Sequence, residues 1–234
     1  MFRHILNGGD VQTYIISILL TLPIILLSLS LHETAHGFVA WRLGDPTARN
    51  LGRLTLNPIK HLNPLGFVCM MVAGFGWANP VPVNARYFGK PRRDMALTSL
   101  AGPVSNLLLA LIFLLLLRFL GFGILSEQVF LAESEFARNL AYFGIVFLYY
   151  GVSMNVTLAV FNLLPVPPLD GSRILFLLLP PRLYFKIAPY ERYIVIAVML
   201  LLLLGPLSTL MDFICTWIMR GLFAMVGMRG FLGI

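Results

Sequence analysis

Two histidines and a glutamate stand together at the end of an apolar run, in Leu31-His32-Glu33-Thr34-Ala35-His36. On a helix, residues four apart share a face, so the imidazoles of His32 and His36 can grip one metal ion. Glu33 follows His32 and is turned from it by about 100° around the helix axis. From there its carboxylate can reach a water on the metal without ligating the metal itself. Two ligands and a base in this order form the arrangement of a zinc peptidase. The plainer reading is a pair of hydrogen-bonded histidines at a helix end. The setting argues against it: Tyr14 to Leu31 carries no charge, and ionisable groups placed against such a run are costly and tend to be functional.

The elements that must carry these residues follow from composition. Of the 234 residues, 59% are hydrophobic and 12% are charged. Soluble domains carry about 25% charged residues, so the chain reads as an all-α polytopic membrane protein. Its length fits one membrane-embedded domain over residues 1–234 and leaves no room for a large soluble one. The net charge of +7 calls for no nucleic acid, because the basic residues lie in short segments beside apolar runs. Cys69 and Cys215 sit in separate apolar segments without ligand spacing and read as packing residues. The first apolar run leads straight into the His-Glu motif with no small-residue cleavage site, so it is not read as a signal peptide.

Five to six transmembrane helices are expected. The first covers about Val11 to Leu43, kinked at Pro23 and ended by Gly44-Asp45-Pro46. Residues Leu65 to Trp77 are apolar but too short to span. They lead into Gly74-Phe75-Gly76-Trp77-Ala78-Asn79-Pro80-Val81-Pro82-Val83-Asn84, where glycine and proline preclude a regular helix. This stretch reads as a re-entrant β-hairpin or loop near the site, or else as an ordinary interfacial loop. Further spans are expected at about Met95 to Leu120 and Asn139 to Leu164. A fourth should begin near Ala188 and continue past Gly205-Pro206, and a last one should cover Leu207 to Val226. The loops at 42–60, 84–93 and 173–192 are basic, and that at 121–138 is acidic. The positive-inside rule then puts the basic loops in the cytoplasm. The His-Glu motif, the hairpin and Pro165-Val166-Pro167-Pro168-Leu169-Asp170-Gly171 all fall toward that side of a cell membrane.

A catalytic zinc commonly takes three protein ligands and a water, so two histidines leave the set one short. His4 falls on the opposite side, and His61 reads as a solvated loop residue. Of the ten carboxylates, most lie in loops, at helix ends or on the far side. Asp212 reads as snorkelling or in a polar contact. Asp170 follows a proline-broken helix end on the site's side. It is either the third, oxygen ligand or a helix N-cap before Gly171-Ser172-Arg173.

The two motifs together, His32-Glu33-Thr34-Ala35-His36 and Asn162-Leu163-Leu164-Pro165-Val166-Pro167-Pro168-Leu169-Asp170-Gly171, resemble the site-2 protease family of intramembrane zinc metalloproteases. Ala101-Gly102-Pro103-Val104-Ser105-Asn106 is similar to the family's small-residue motif on the middle core helix, and residues 76–84 to its membrane hairpin. The resemblance covers about Leu31 to Gly171. It implies a catalytic core at about 11–180, followed by C-terminal helices at about 187–228. It also implies one Zn2+ per chain on His32, His36 and Asp170, with Glu33 as general base. Asn162, and less directly Asn106, would hold the oxyanion or the substrate backbone. The segment Asn79, Pro80, Val81, Pro82, Val83, Asn84 would pair with an extended substrate. No PDZ or CBS domain is inserted, as in a compact prokaryotic member.

The expected partners are a transmembrane protein or peptide as substrate and the lipid bilayer, with no nucleic acid. A transmembrane helix hides its peptide bonds in i to i−4 hydrogen bonds and must unwind before water attacks. A zinc-binding membrane transporter is the other class that would want His and Asp within helices. It needs neither Glu33 beside His32 nor a hairpin.

Overall fold

The computed structural model describes residues 11–73, 78–120, 134–178 and 186–228. They are helical, with no strand among them. Two compact units divide the chain, Met1–Gly102 and Pro103–Ile234.

In the first unit, α1 covers Val11–Arg42, which is about 48 Å at 1.5 Å per residue. Its hydroxyls fold back on their own helix: Thr21, Ser28 and Ser30 each donate to the carbonyl four residues earlier at 2.7 Å. That satisfies them without water in an apolar run. The helix stops as the sequence predicts. Gly44 takes φ +107°, Gly44 N–H donates to Trp41 O at 3.1 Å, and Asp45 N–H donates to Ala40 O at 2.9 Å. This is a Schellman stop, and the left-handed residue it requires is glycine.

Two one-turn helices, α2 (Thr47–Asn50) and α3 (Pro58–His61), pack on α1. Gly37 makes the approach possible, because a Cβ there would stand 2.7 Å from Leu54 Cδ2. His61 is not a solvated loop residue. It is buried, and its Nε2 lies 2.8 Å from Thr55 O, which also accepts from the Thr34 hydroxyl at 2.7 Å. A ring nitrogen that satisfies a loop carbonyl belongs inside, and the sequence pattern alone did not reveal that partner.

Helix α4, Pro64–Ala73, has 10 residues, about 15 Å and too short to span. The chain then returns to where α4 began. Leu62 and Ala78 form an isolated antiparallel bridge, and Asn79 N–H donates to His61 O at 2.7 Å. The expected β-hairpin does not form among the described residues. Residues 74–77 lie outside them, and 79–84 have no regular structure. Pro80 and Pro82 remove alternate donors, so no ladder can build through them.

Helix α5, Pro91–Leu116, begins in the first unit and ends in the second. In the second unit it is joined by α6 (Glu135–Leu163), α7 (Asp170–Leu178), α8 (Glu191–Leu204) and α9 (Pro206–Met225). Gly151 of α6 sits against the Phe113 ring of α5, where any Cβ would collide. Helix α9 packs on α6 and buries Met211, Cys215, Met219 and Phe223, a seam at four-residue spacing. The expected fourth span through Gly205-Pro206 is instead two helices. Gly205 takes φ +108° and ends α8 after 14 residues, and Pro206 opens α9.

Among the described residues, four helices are long and apolar enough to cross a membrane: Ile15–Arg42, Pro91–Leu120, Glu135–Leu163 and Pro206–Met225. At most 44% of the most apolar stretch of any of them is buried. Leu19, Leu108, Phe119 and Phe213 are all more than half exposed. Lipid, not water, is the solvent such surfaces suit.

Candidate metal centre

The His-Glu motif lies near the end of α1. His32 and His36, one turn apart, are both buried. Their Nε2 atoms stand 3.0 Å apart, with ring centroids at 4.5 Å and planes at 88°. Two imidazole lone pairs cannot face one another at that distance without a proton or a cation between them.

The outer nitrogen of His36 settles its own tautomer. Its Nδ1 lies 2.7 Å from the Thr98 carbonyl oxygen on α5. A carbonyl only accepts, so Nδ1 carries the hydrogen and Nε2 is left as a donor of electrons to a metal. Thr98 is itself buried, its hydroxyl donating to Asp94 O at 2.8 Å.

Gly102, one turn beyond Thr98, lets α5 close on the pair. A Cβ at residue 102 would lie 2.5 Å from both His32 Cε1 and His36 Nε2, and 2.6 Å from His32 Nε2. No other residue type leaves the two Nε2 atoms this space. The donor pair, its fixed tautomer and the space held by Gly102 fit a zinc ion, which favours imidazole nitrogen at about 2.0–2.1 Å.

Glu33 is half-buried, next to His32 along the helix. Its Oε2 accepts the backbone N–H of Val81 at 2.8 Å. This brings Val81, out of the sequence-predicted substrate segment, to the motif. The rest of that segment is tied to its own unit. Asn79 receives Arg53 and Asn63, and Asn84 N–H meets Asp45. Asp45, Arg53 and Thr98 belong to no site motif of the sequence, whereas Gly102 lies in the small-residue motif Ala101-Gly102-Pro103-Val104-Ser105-Asn106.

The remaining candidates belong to the second unit. Asp170 is the first residue of α7, and the turn that presents it is tightly fixed. Leu169 N–H donates to Val166 O at 2.9 Å, and Ser172 N–H donates to Leu169 O at 3.0 Å. Gly171 is required there, since a Cβ would run into the Leu163 and Leu164 carbonyl oxygens. The Asn162 amide donates to Leu158 O at 3.0 Å within its own helix. Asn106 is fully buried, and neither its amide nitrogen nor its oxygen has a hydrogen-bond partner. A second buried amide, Asn155, donates to Gly151 O at 2.8 Å and leaves its oxygen unpartnered. It lies in an apolar run that matched no motif, so the sequence reading passed over it.

The chain is similar to known proteins over most of its length. Residues 20–206 match the description "Peptidase family M50". The chain is 46% identical over 186 residues to "Putative zinc metalloprotease YwhC" of Bacillus subtilis, covering 79% of this chain and 80% of that protein. It is 35% identical to "Putative zinc metalloprotease Rip2" of Mycolicibacterium smegmatis and 33% identical to the Mycobacterium tuberculosis protein of that name. Each of these matches covers 78% of this chain and 66% of the relative. No solved structure matches the chain significantly. The matched residues include the paired histidines, Glu33 and the Asp170 turn, and the chain belongs to peptidase family M50, the site-2 protease family.

Proposed function

We propose that the protein is an intramembrane zinc metalloprotease, hydrolysing peptide bonds in or near transmembrane segments of other membrane proteins. The observation that carries this reading is the His32–His36 pair, 3.0 Å between Nε2 atoms, with Glu33 beside it on a helix apolar enough to cross a bilayer. Membership of a peptidase family makes proteolysis the activity, and the relatives named zinc metalloproteases support the metal.

Asp170 is the proposed third ligand, for one zinc per chain. His32, His36 and Asp170 supply nitrogen and oxygen donors of the kinds that zinc takes. Two imidazoles and one carboxylate leave a fourth position open, as in catalytic zinc sites. Bound there, zinc would acidify the attacking water and polarise the scissile carbonyl. Glu33 would take a proton from the attacking water and deliver it to the leaving amine. The Val81 N–H on one of its carboxylate oxygens leaves the other for that role. Asn106 and Asn162 are the neutral donors proposed for the oxyanion or the substrate backbone. Asn106 has the stronger support, because its buried amide has no partner of its own.

An extended substrate would lie along residues 79–84, whose Val81 reaches Glu33. The basic loops support a cell-membrane location with the site toward the cytoplasm.

Cleavage of a transmembrane peptide in detergent, with Glu33→Gln as comparison, tests the reading. The variant should keep its zinc and lose at least about a hundredfold in rate, the lower range for general acid–base catalysis. Equal rates for the two proteins would remove Glu33 as base. Zinc flux through vesicles without any cleavage would move the protein to the transporters.

A further inference from the structure

Residues 79–84 have no regular structure, yet their backbone is tied at three places within the first unit. At the start, Arg53 Nη2 donates to Asn79 O at 2.6 Å and to Pro80 O at 3.3 Å. In the middle, Val81 N–H donates to Glu33 Oε2 at 2.8 Å. At the end, Asn84 N–H donates to Asp45 Oδ2 at 2.6 Å. Pro80 and Pro82 have no N–H, so Val81 carries the one donor between Asn79 and Val83.

The two end anchors are charged groups in unusual settings. Asp45 is fully buried, 0% exposed. Its Oδ1 accepts both the N–H and the hydroxyl of Thr47, and no cation pairs with it among the described residues. A buried carboxylate is tolerated when several donors satisfy it, and hydrogen bonds to it are stronger than neutral ones. A neutral asparagine could cap Thr47 equally well. Arg53 likewise meets carbonyls and no carboxylate among the described residues, its Nη2 serving two successive carbonyls.

We propose that Asp45 and Arg53 are positioning residues for Glu33. They hold the 79–84 strap from both ends, so that the Val81 N–H pins one carboxylate oxygen of Glu33 and leaves the other free to take a proton. Glutamate has three side-chain torsions, and a base acts only within hydrogen-bond reach of the proton it removes. One fixed N–H removes most of that freedom. The inference rests on the peptidase reading of Glu33.

Hydrogen exchange at the Val81 amide, flanked by two prolines, reads the strap directly in the full chain in micelles. Asp45→Asn and Arg53→Gln should each speed that exchange about tenfold, the worth of one hydrogen bond to a charged group. Zinc content should stay at the wild-type level. For a transmembrane peptide at saturating concentration, kcat should fall about tenfold, a loss in the bound complex that marks positioning, whatever KM does through the 79–84 segment itself. If Asp45→Asn does not fold, Arg53→Gln at the opposite end carries the test. Val81 exchange unmoved in the folded variants overturns the proposal, and so does faster exchange with kcat at the wild-type value. A wild-type protein that cleaves nothing is a different failure, and it overturns the peptidase reading of Glu33 first.

Discussion

Nδ1 of His36 on α1 lies 2.7 Å from the Thr98 carbonyl oxygen on α5. This bond orients the imidazole and decides which nitrogen faces His32. The α-helix ordinarily spends each carbonyl on the N–H four residues on, and a carbonyl oxygen has a second lone pair to offer. Thr98 therefore serves as an outer support for a metal ligand without any change of side chain, which is why no motif marks it.

One turn beyond Thr98, Gly102 sets the distance between α5 and the imidazole pair. Gly102→Ala places a methyl group within 2.6 Å of ring atoms on both histidines. At least one ring must rotate out of place. Elemental analysis should find zinc reduced by tenfold or more, in the range seen when outer support of metal ligands is lost. Retention of a full equivalent would mean that α5 moves aside.

His61 makes the opposite prediction. It is buried and bonded to Thr55 O, and nothing ties it to the metal. His61→Ala should leave the zinc content unchanged. It should lower stability by about 1 kcal/mol or more, since one buried hydrogen bond is lost while the Thr34 hydroxyl still serves the Thr55 carbonyl, read as a lower midpoint in thermal unfolding. Zinc loss without destabilisation would return His61 to the ligand candidates.

What could be read from the sequence divides along a physical line. Helix α1, its Schellman stop at Gly44 and the α6 break at Pro165 follow from local chemistry: apolar runs, a left-handed glycine, a residue without N–H. The ligand spacing of His32 and His36 is also local. The contacts of His61, Asp45 and Arg53 are with backbone 6, 39 and 26 residues away, and side-chain type does not encode such partners. Among the described residues, 79–84 form a loop and not a strand for a related reason. Glycine and proline density predicts the absence of a helix there, and it equally denies a strand its donors.

The direction of the chain in the membrane is a separate matter of charge. The loops at 42–60, 84–93 and 173–192 are basic and that at 121–138 is acidic, which under the positive-inside rule separates them by the bilayer. Cysteines introduced at Arg49, Lys90 and Lys186 should react from the cytoplasmic side with an impermeant reagent, and one at Glu133 from the other. Labelling of Lys90 and Glu133 from the same side would overturn the cytoplasmic placement of the site.

Asp170 is the proposed ligand on which the metal reading depends most, because two imidazoles alone describe many sites. Its position is set by backbone. Gly171 folds the first turn of α7 onto the end of α6, where a Cβ meets the Leu163 and Leu164 carbonyls. Asp170→Ala removes the carboxylate and keeps the turn. Gly171→Ala keeps the carboxylate and forces the turn open. Both variants should therefore lose most of their zinc. Zinc measured at one equivalent in Asp170→Ala would take the residue out of the site and leave the third ligand to be found elsewhere.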